Sequence, residues 1–286
     1  MDKNPHKLEQ KFLSQIADDL KRNHLPLPML PEIAMKVRNV VESADASNRE
    51  MAKVINADAA VSVRLMQVAN SPLYRGRQPF DTVQGAITRL GIKLVRSLVS
   101  ALVMEQLYQS GANELARRHL ESLWSHNVTV AAISNVLARR YTKLSPEEAM
   151  LGGLIHDIGV LPIFAYAEEE PELLENDELL FGVIKKMHAQ VGKSILLAWR
   201  FSPELVACAA EHEQLDRNHA PQADYCDIVL LANLHSYLGT RHVLTELDWS
   251  DIPAFTKLGL DPATSVAAVT EARKEVTAIE NLLKGG

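Results

Sequence analysis

The sequence predicts an all-α protein. Apolar residues recur at three- and four-residue steps through nearly the whole chain, and no alternating strand pattern bounded by hairpin turns occurs anywhere. Helix-start signals that combine a capping side chain, a first-turn proline and a first-turn carboxylate also recur. Leu8, Phe12 and Ile16 set an amphipathic helix at the N-terminal end. In LPLPMLPEI (25–33), Pro26 and Pro28 exclude helix interior, and Pro31 is placed to be the first helical residue of the next element. Ser47-Asn-Arg-Glu50 reads as a capping box opening a helix through about Ile55. Asp58 caps AAVSVRLMQVAN, which Asn70-Ser71-Pro72 breaks. A helix over 84–90 ends at Gly91, and another follows from about Lys93 to Gln109.

Ser110-Gly111-Ala112-Asn113 is the best internal boundary, followed by a long helix over about 114–141. Ser145-Pro146-Glu147-Glu148 starts a helix expected to run to Gly159. Further helices are expected near 172–179, 181–199, 203–213, 222–238 and 262–284, with Ser202-Pro203-Glu204 and Asp261-Pro262 as starts.

Composition narrows the function classes. The 286 residues are 47% hydrophobic and 23% charged, enough for one large domain or two small ones with a true core. A net charge of −6 without long like-charge runs, and only 5% aromatic residues, argue against a nucleic-acid partner. Two cysteines, Cys208 and Cys226, exclude a disulfide framework. The polar N-terminal end carries no signal-peptide core, and no apolar run reads as long enough to span a membrane. The expectation is a cytoplasmic protein with no membrane partner. P-loop, dinucleotide and serine-hydrolase motifs do not occur.

The residues with chemical potential are histidines. Four of the ten lie in helical stretches with apolar neighbours: His126 in LWSHNVTVAA, His156 in GGLIHDIG, His188 in KKMHAQVG and His212 in CAAEHEQL. Asp157 follows His156 directly, inside an otherwise apolar segment. An unpaired carboxylate there is costly without a metal, a cation or hydrogen bonds. Imidazole suits borderline metals such as Zn, Fe and Ni, and carboxylate also suits harder ions such as Mn and Mg. A single histidine on an amphipathic helix is more often a structural residue, so the dyad carries the weight. Asp157 would be the residue to activate water if chemistry occurs.

Arranged in this order, these motifs resemble the HDOD family, an HD-related branch of the metal-dependent phosphohydrolase superfamily. The resemblance is carried by LPLPMLPEI, INADAAVSVRLMQVANSPLYRG, FDTVQGAITRLGIKLVRSLV, LWSHNVTVA, LGGLIHDIGVL, HAQVGKSILLAW and the His212-Glu213 region. It spans roughly 25–238. It implies an N-terminal helix over 1–22, a helical lobe over 23–110, an HD-like lobe over 111–240 packed on it, and an extension over 241–286. It further implies a bacterial signalling module working through contacts with other signalling proteins, with self-association into a homodimer also allowed.

The superfamily's last metal ligand is an aspartate. Here the matching stretch is IVLLANLHSYLG, with Asn233 at that position. A neutral amide is a weaker ligand and leaves Asp157 as the sole anion among His126, His156, Asp157, His188, His212 and Asn233. The paired histidines and Gly-Tyr-Pro of the cyclic di-GMP hydrolases are also missing, since Glu211-His212 is followed by QLDRNHAPQADYC. Two accounts of the cluster stay open: a divalent metal held structurally, or a hydrogen-bonded polar network. A regulatory output module is therefore expected, and a divergent metal-dependent phosphohydrolase acting on a nucleotide or other phosphoester is the alternative.

Overall fold

The computed structural model describes residues 5–22, 24–43, 47–74, 78–109 and 113–284, and no strand occurs among them. Helix α1 (Pro5–Lys21) buries Phe12 and Ile16 completely. Helix α2 spans Glu32–Glu42; Pro31 stays just outside it, because its ψ of 146° is extended. Helix α3 (Asn48–Asn56) begins with the Ser47 Oγ accepting from the Glu50 amide at 3.2 Å. Glu50 meets the Ser47 hydroxyl at 3.5 Å, so only half of the expected box forms. Asp58 Oδ1 caps α4 (Ala59–Ala69) at the Val61 amide, and Thr82 caps α5 (Val83–Leu90). Gly91, at φ +82°, turns the chain from α5 into α6 (Ile92–Tyr108). Residues 110–112 of the expected boundary lie outside the described residues; Asn113 caps the next helix.

That helix, α7 (Glu114–Tyr141), is the spine of the second lobe. Beside it runs α8 (Pro146–Ile155), capped by Ser145. The expected continuation to Gly159 does not occur. The chain tightens into a turn at His156–Gly159, with Ile158 and Val160 amides bonded three residues back, and α9 (Val160–Glu169) follows. Next comes short α10 (Pro171–Leu174), then α11 (Asp177–Ala198), where Asn176 caps the Leu179 amide and moves the break earlier than periodicity placed it. Helices α12 (Pro203–Glu211) and α13 (Tyr225–Ser236) complete the lobe; Asp224 and Asp227 form a full capping box on α13. A short α14 (Pro253–Lys257) is additional to the expected elements. The expected last helix is divided near Ala272 into α15 (Pro262–Glu271) and α16 (Arg273–Lys284).

The glycines of LGGLIHDIG are explained by close helix contact rather than by helix termination. A Cβ on Gly153 would lie 2.7 Å from the Ala131 Cα of α7, and one on Gly159 would lie 1.9 Å from the His188 carbonyl of α11. A Cβ on Gly152 would press on Cys208 of α12 at 2.9 Å. Gly159 has φ −67°, an ordinary helical value, so no positive φ calls for a glycine there. The side-chain-free surface of this one segment lets three other helices approach it.

The C-terminal helices fasten the assembly. In α16, Glu275 pairs with Arg139 and Arg140 at 3.0 and 2.9 Å, and Glu280 accepts from Thr129 at 2.6 Å. The Leu282 carbonyl accepts from Arg64 of α4 at 2.8 Å, so α16 touches both lobes. At the other side of the interface, Arg38 of α2 donates to the Trp199 carbonyl, and the Trp199 indole donates to the Pro28 carbonyl at 2.9 Å. One stretch, 146–169, is long and apolar enough by composition to cross a membrane, which corrects the expectation that none is. It comprises α8, the turn and α9, and most of it is buried in the core.

Gly159→Ala should destabilise the fold by at least about 3 kcal/mol in urea denaturation, because the added methyl meets helix backbone that cannot yield. Ala at Gly91, where a Cβ meets nothing within 4 Å, should carry only the backbone cost of its positive φ.

Candidate metal centre

The six candidate residues come from five segments: His126 from α7, His156 and Asp157 from the turn after α8, His188 from α11, His212 from the end of α12 and Asn233 from α13. Backbone geometry orients the rings. His156 Nδ1 lies 2.8 Å from the Gly153 carbonyl, His188 Nδ1 2.8 Å from Ile184, and His212 Nδ1 3.0 Å from Cys208. A carbonyl can only accept, so each Nδ1 carries the proton and each neutral ring presents a bare Nε2. His126 reaches the same tautomer by another route. Ser236 Oγ donates to the Asn233 carbonyl at 2.7 Å and therefore accepts from His126 Nδ1 at 3.3 Å.

All four Nε2 atoms converge on Asp157. Its Oδ2 lies 3.3 Å from His156 and 3.8 Å from His126; its Oδ1 lies 3.3 Å from His212 and 3.7 Å from His188. Within each half the two rings face one another, at 3.3 Å for His126–His156 and 3.4 Å for His188–His212. Two bare lone pairs at that distance repel unless a cation lies between them. Bonds of about 2.0–2.1 Å in tetrahedral geometry place ligand nitrogens roughly 3.3–3.4 Å apart, so both pairs fit a metal ion. The carboxylate bridges two three-residue groups, His126–His156–Asp157 and Asp157–His188–His212, each able to hold a metal. Asn233 is buried on α13, and its Oδ1 has no hydrogen-bond partner. An orphaned amide oxygen fits a weak ligand better than a finished polar network.

Electrostatics divides the rings. Burial, reinforced by the neighbouring His156, pushes His126 down to about 3, and burial also holds His212 below the ordinary imidazole value. Burial opposes charge on His156, but the Asp157 carboxylate outweighs it and the ring ends above its usual value. Burial likewise opposes the Asp157 charge, but His156 and His212 hold the carboxyl well below the usual range.

Sequence reading missed the residues around this core. Tyr237 stacks on His126 at 5.0 Å between ring centroids, and His242 stacks on Tyr237 at 3.7 Å. Glu213 Oε2 approaches His188 Nε2 at 3.8 Å. Arg217, only 5% exposed, joins Glu211 of α12 to Asp224 and Asp227 at the start of α13 through bonds of 2.6–2.9 Å. Lys257 of α14 adds contacts to Asp227 at 3.2 Å. This buried ion network fixes the end of α12, and with it His212. The Asp224-x-x-Asp227 capping pattern was legible in the sequence; that Arg217 would sit beneath it was not.

The fold and the cluster define a helical protein of the HD type. The model of the HDOD domain family matches residues 27–215, and the chain belongs to that family. Asn233 and the C-terminal helices lie beyond the matched residues. The chain is similar to a Shewanella amazonensis SB2B protein whose name assigns it to the metal-dependent phosphohydrolases, with 30% identity, a TM-score of 0.80, and 95% and 99% of the two chains covered. A Geobacter sulfurreducens HDOD domain protein of unknown function aligns at a TM-score of 0.70 and 20% identity, covering 97% and 98%. A Marinobacter aquaeolei VT8 protein whose name places it in signal transduction aligns at 0.66 and 17%, covering 96% of this chain and 66% of that one. A Treponema pallidum (strain Nichols) protein of uncharacterised function is 21% identical over 226 residues. Those residues are 74% of this chain and 41% of the relative, so the chain spans about two fifths of that protein.

Two outcomes follow from this geometry. Arg217→Met leaves the buried Asp227 carboxylate with Lys257 as its remaining cation and frees the half-exposed Glu211 and Asp224, and should cost about 3 kcal/mol in chemical denaturation. An ion held between His126 and His156 must displace the proton that Asp157 favours on His156, so affinity in that half should climb with pH until the ring is neutral, and calorimetry in buffers of different ionisation enthalpy should register one proton released.

Proposed function

We propose that this chain is a regulatory module that acts through contacts with signalling proteins, and that its histidine–aspartate centre holds a divalent metal as a structural core rather than for turnover. The observation that supports this reading most directly is closure. The side chains of His126, His156, Asp157, His188 and His212 are between 0 and 15% exposed, with the Tyr237–His242 stack lying over His126. A hydrolytic centre keeps an open position for water and substrate, whereas a structural centre is closed. The amide at Asn233 points the same way, since it leaves one shared carboxylate between the two three-residue groups. When bound, the metal would neutralise that carboxylate and hold the histidine-bearing helices against the turn that carries it. Membership of the HDOD family supports the same assignment.

A divergent phosphohydrolase is the second reading, favoured by the bridging Asp157 and by the Shewanella relative's name. A panel of nucleotides and phosphoesters assayed with Mn, Mg, Zn, Ni and Fe separates the two. Under the regulatory reading no substrate turns over with any ion, and chelation lowers the melting temperature by several degrees. Turnover that disappears in Asp157→Ala would instead establish the enzyme.

A further inference from the structure

The two halves of the centre are not equivalent. The half facing α7 offers His126, His156 and Asp157 Oδ2, and the α13 residue at the superfamily's last ligand position is the uncharged Asn233. The half facing α11 and α12 offers His188, His212 and Asp157 Oδ1, and here a second carboxylate stands within reach. Glu213 Oε2 lies 3.8 Å from His188 Nε2. Three donors of this half, His212 Nε2, His188 Nε2 and Asp157 Oδ1, stand 3.3, 3.4 and 3.7 Å apart and form one face of a coordination site; Glu213 lies outside that face, nearest to His188, and would complete it by turning inward.

Glu213 is also uncommitted. Glu211, two residues earlier, is held by Arg217 and His219 at 2.8 and 3.0 Å. Among the described residues, neither lysine nor arginine pairs with Glu213, and its side chain is 35% exposed, free to swing toward the rings. Two carboxylates and two neutral imidazoles match the charge of a divalent ion; one shared carboxylate and an amide do not.

We infer that a single divalent cation occupies the His188–His212–Asp157 half, with Glu213 as its fourth ligand, in preference to the His126–His156 half. This rests on the reading of the centre as metal-holding. Asn233 thus moves the ion across Asp157 rather than abolishing the site.

Full-length chain, stripped with chelator and titrated with Zn²⁺, tests the assignment by calorimetry and by metal content after desalting. The expected result is one tightly bound ion per chain. Glu213→Gln should weaken it at least about tenfold, while His126→Ala changes it less than about threefold. Asn233→Asp should add a second ion. With Co²⁺ as the probe, the visible absorption should change in Glu213→Gln and not in His126→Ala; circular dichroism of each metal-free variant verifies folding. An ion lost in His126→Ala, or bound equally well by Glu213→Gln, overturns the half-site assignment and leaves the metal-holding reading standing. A wild-type chain that takes up no Zn²⁺ overturns both.

Discussion

A carboxylate buried among four imidazoles is the constraint around which this molecule is arranged. Asp157 is 8% exposed and His156 is fully buried, yet every Nδ1 in the cluster donates outward, leaving lone pairs and carboxylate oxygens facing one another. Such an array is stable only with positive charge inside it, whether a proton on His156 or a metal ion. The helices that carry the rings must therefore meet at one place with little tolerance.

That demand reaches into the sequence as glycine. Gly153 and Gly159 flank the dyad, and each marks a surface where helix backbone touches helix backbone, α7 on one side and α11 on the other. The same contacts that bury the core bring His126 and His188 to Asp157. Arg217 supplies the third restraint by tying the end of α12 to the start of α13 through buried ion pairs. Packing, chemistry and electrostatics thus converge on a four-residue turn.

The C-terminal helices add a different kind of constraint. Charged and polar bonds from α16 reach α7 in the second lobe and Arg64 in the first, while Trp199 ties the proline-rich segment to the end of α11. These bonds join the helices that carry the centre to both lobes.

Much of the fold was legible in the chain itself. The all-α class, the caps at Ser47, Asp58, Ser145 and Asp261, and the limits of α7 all follow from local rules, because periodicity and capping are properties of neighbouring residues. The candidate residues were legible too, since an ionisable dyad in an apolar run stands out. Local rules failed where tertiary contact overrode them: at Ile155, where the helix stops to aim the dyad, and at Gly159, whose missing side chain answers to a distant helix rather than to its own turn. What no local pattern held was the pairing of rings across Asp157, the approach of Glu213 and the cover of Tyr237 and His242. The sequence determined which groups are available and which faces they occupy. The tertiary structure decided which of them meet, because those separations depend on how helices from distant parts of the chain pack.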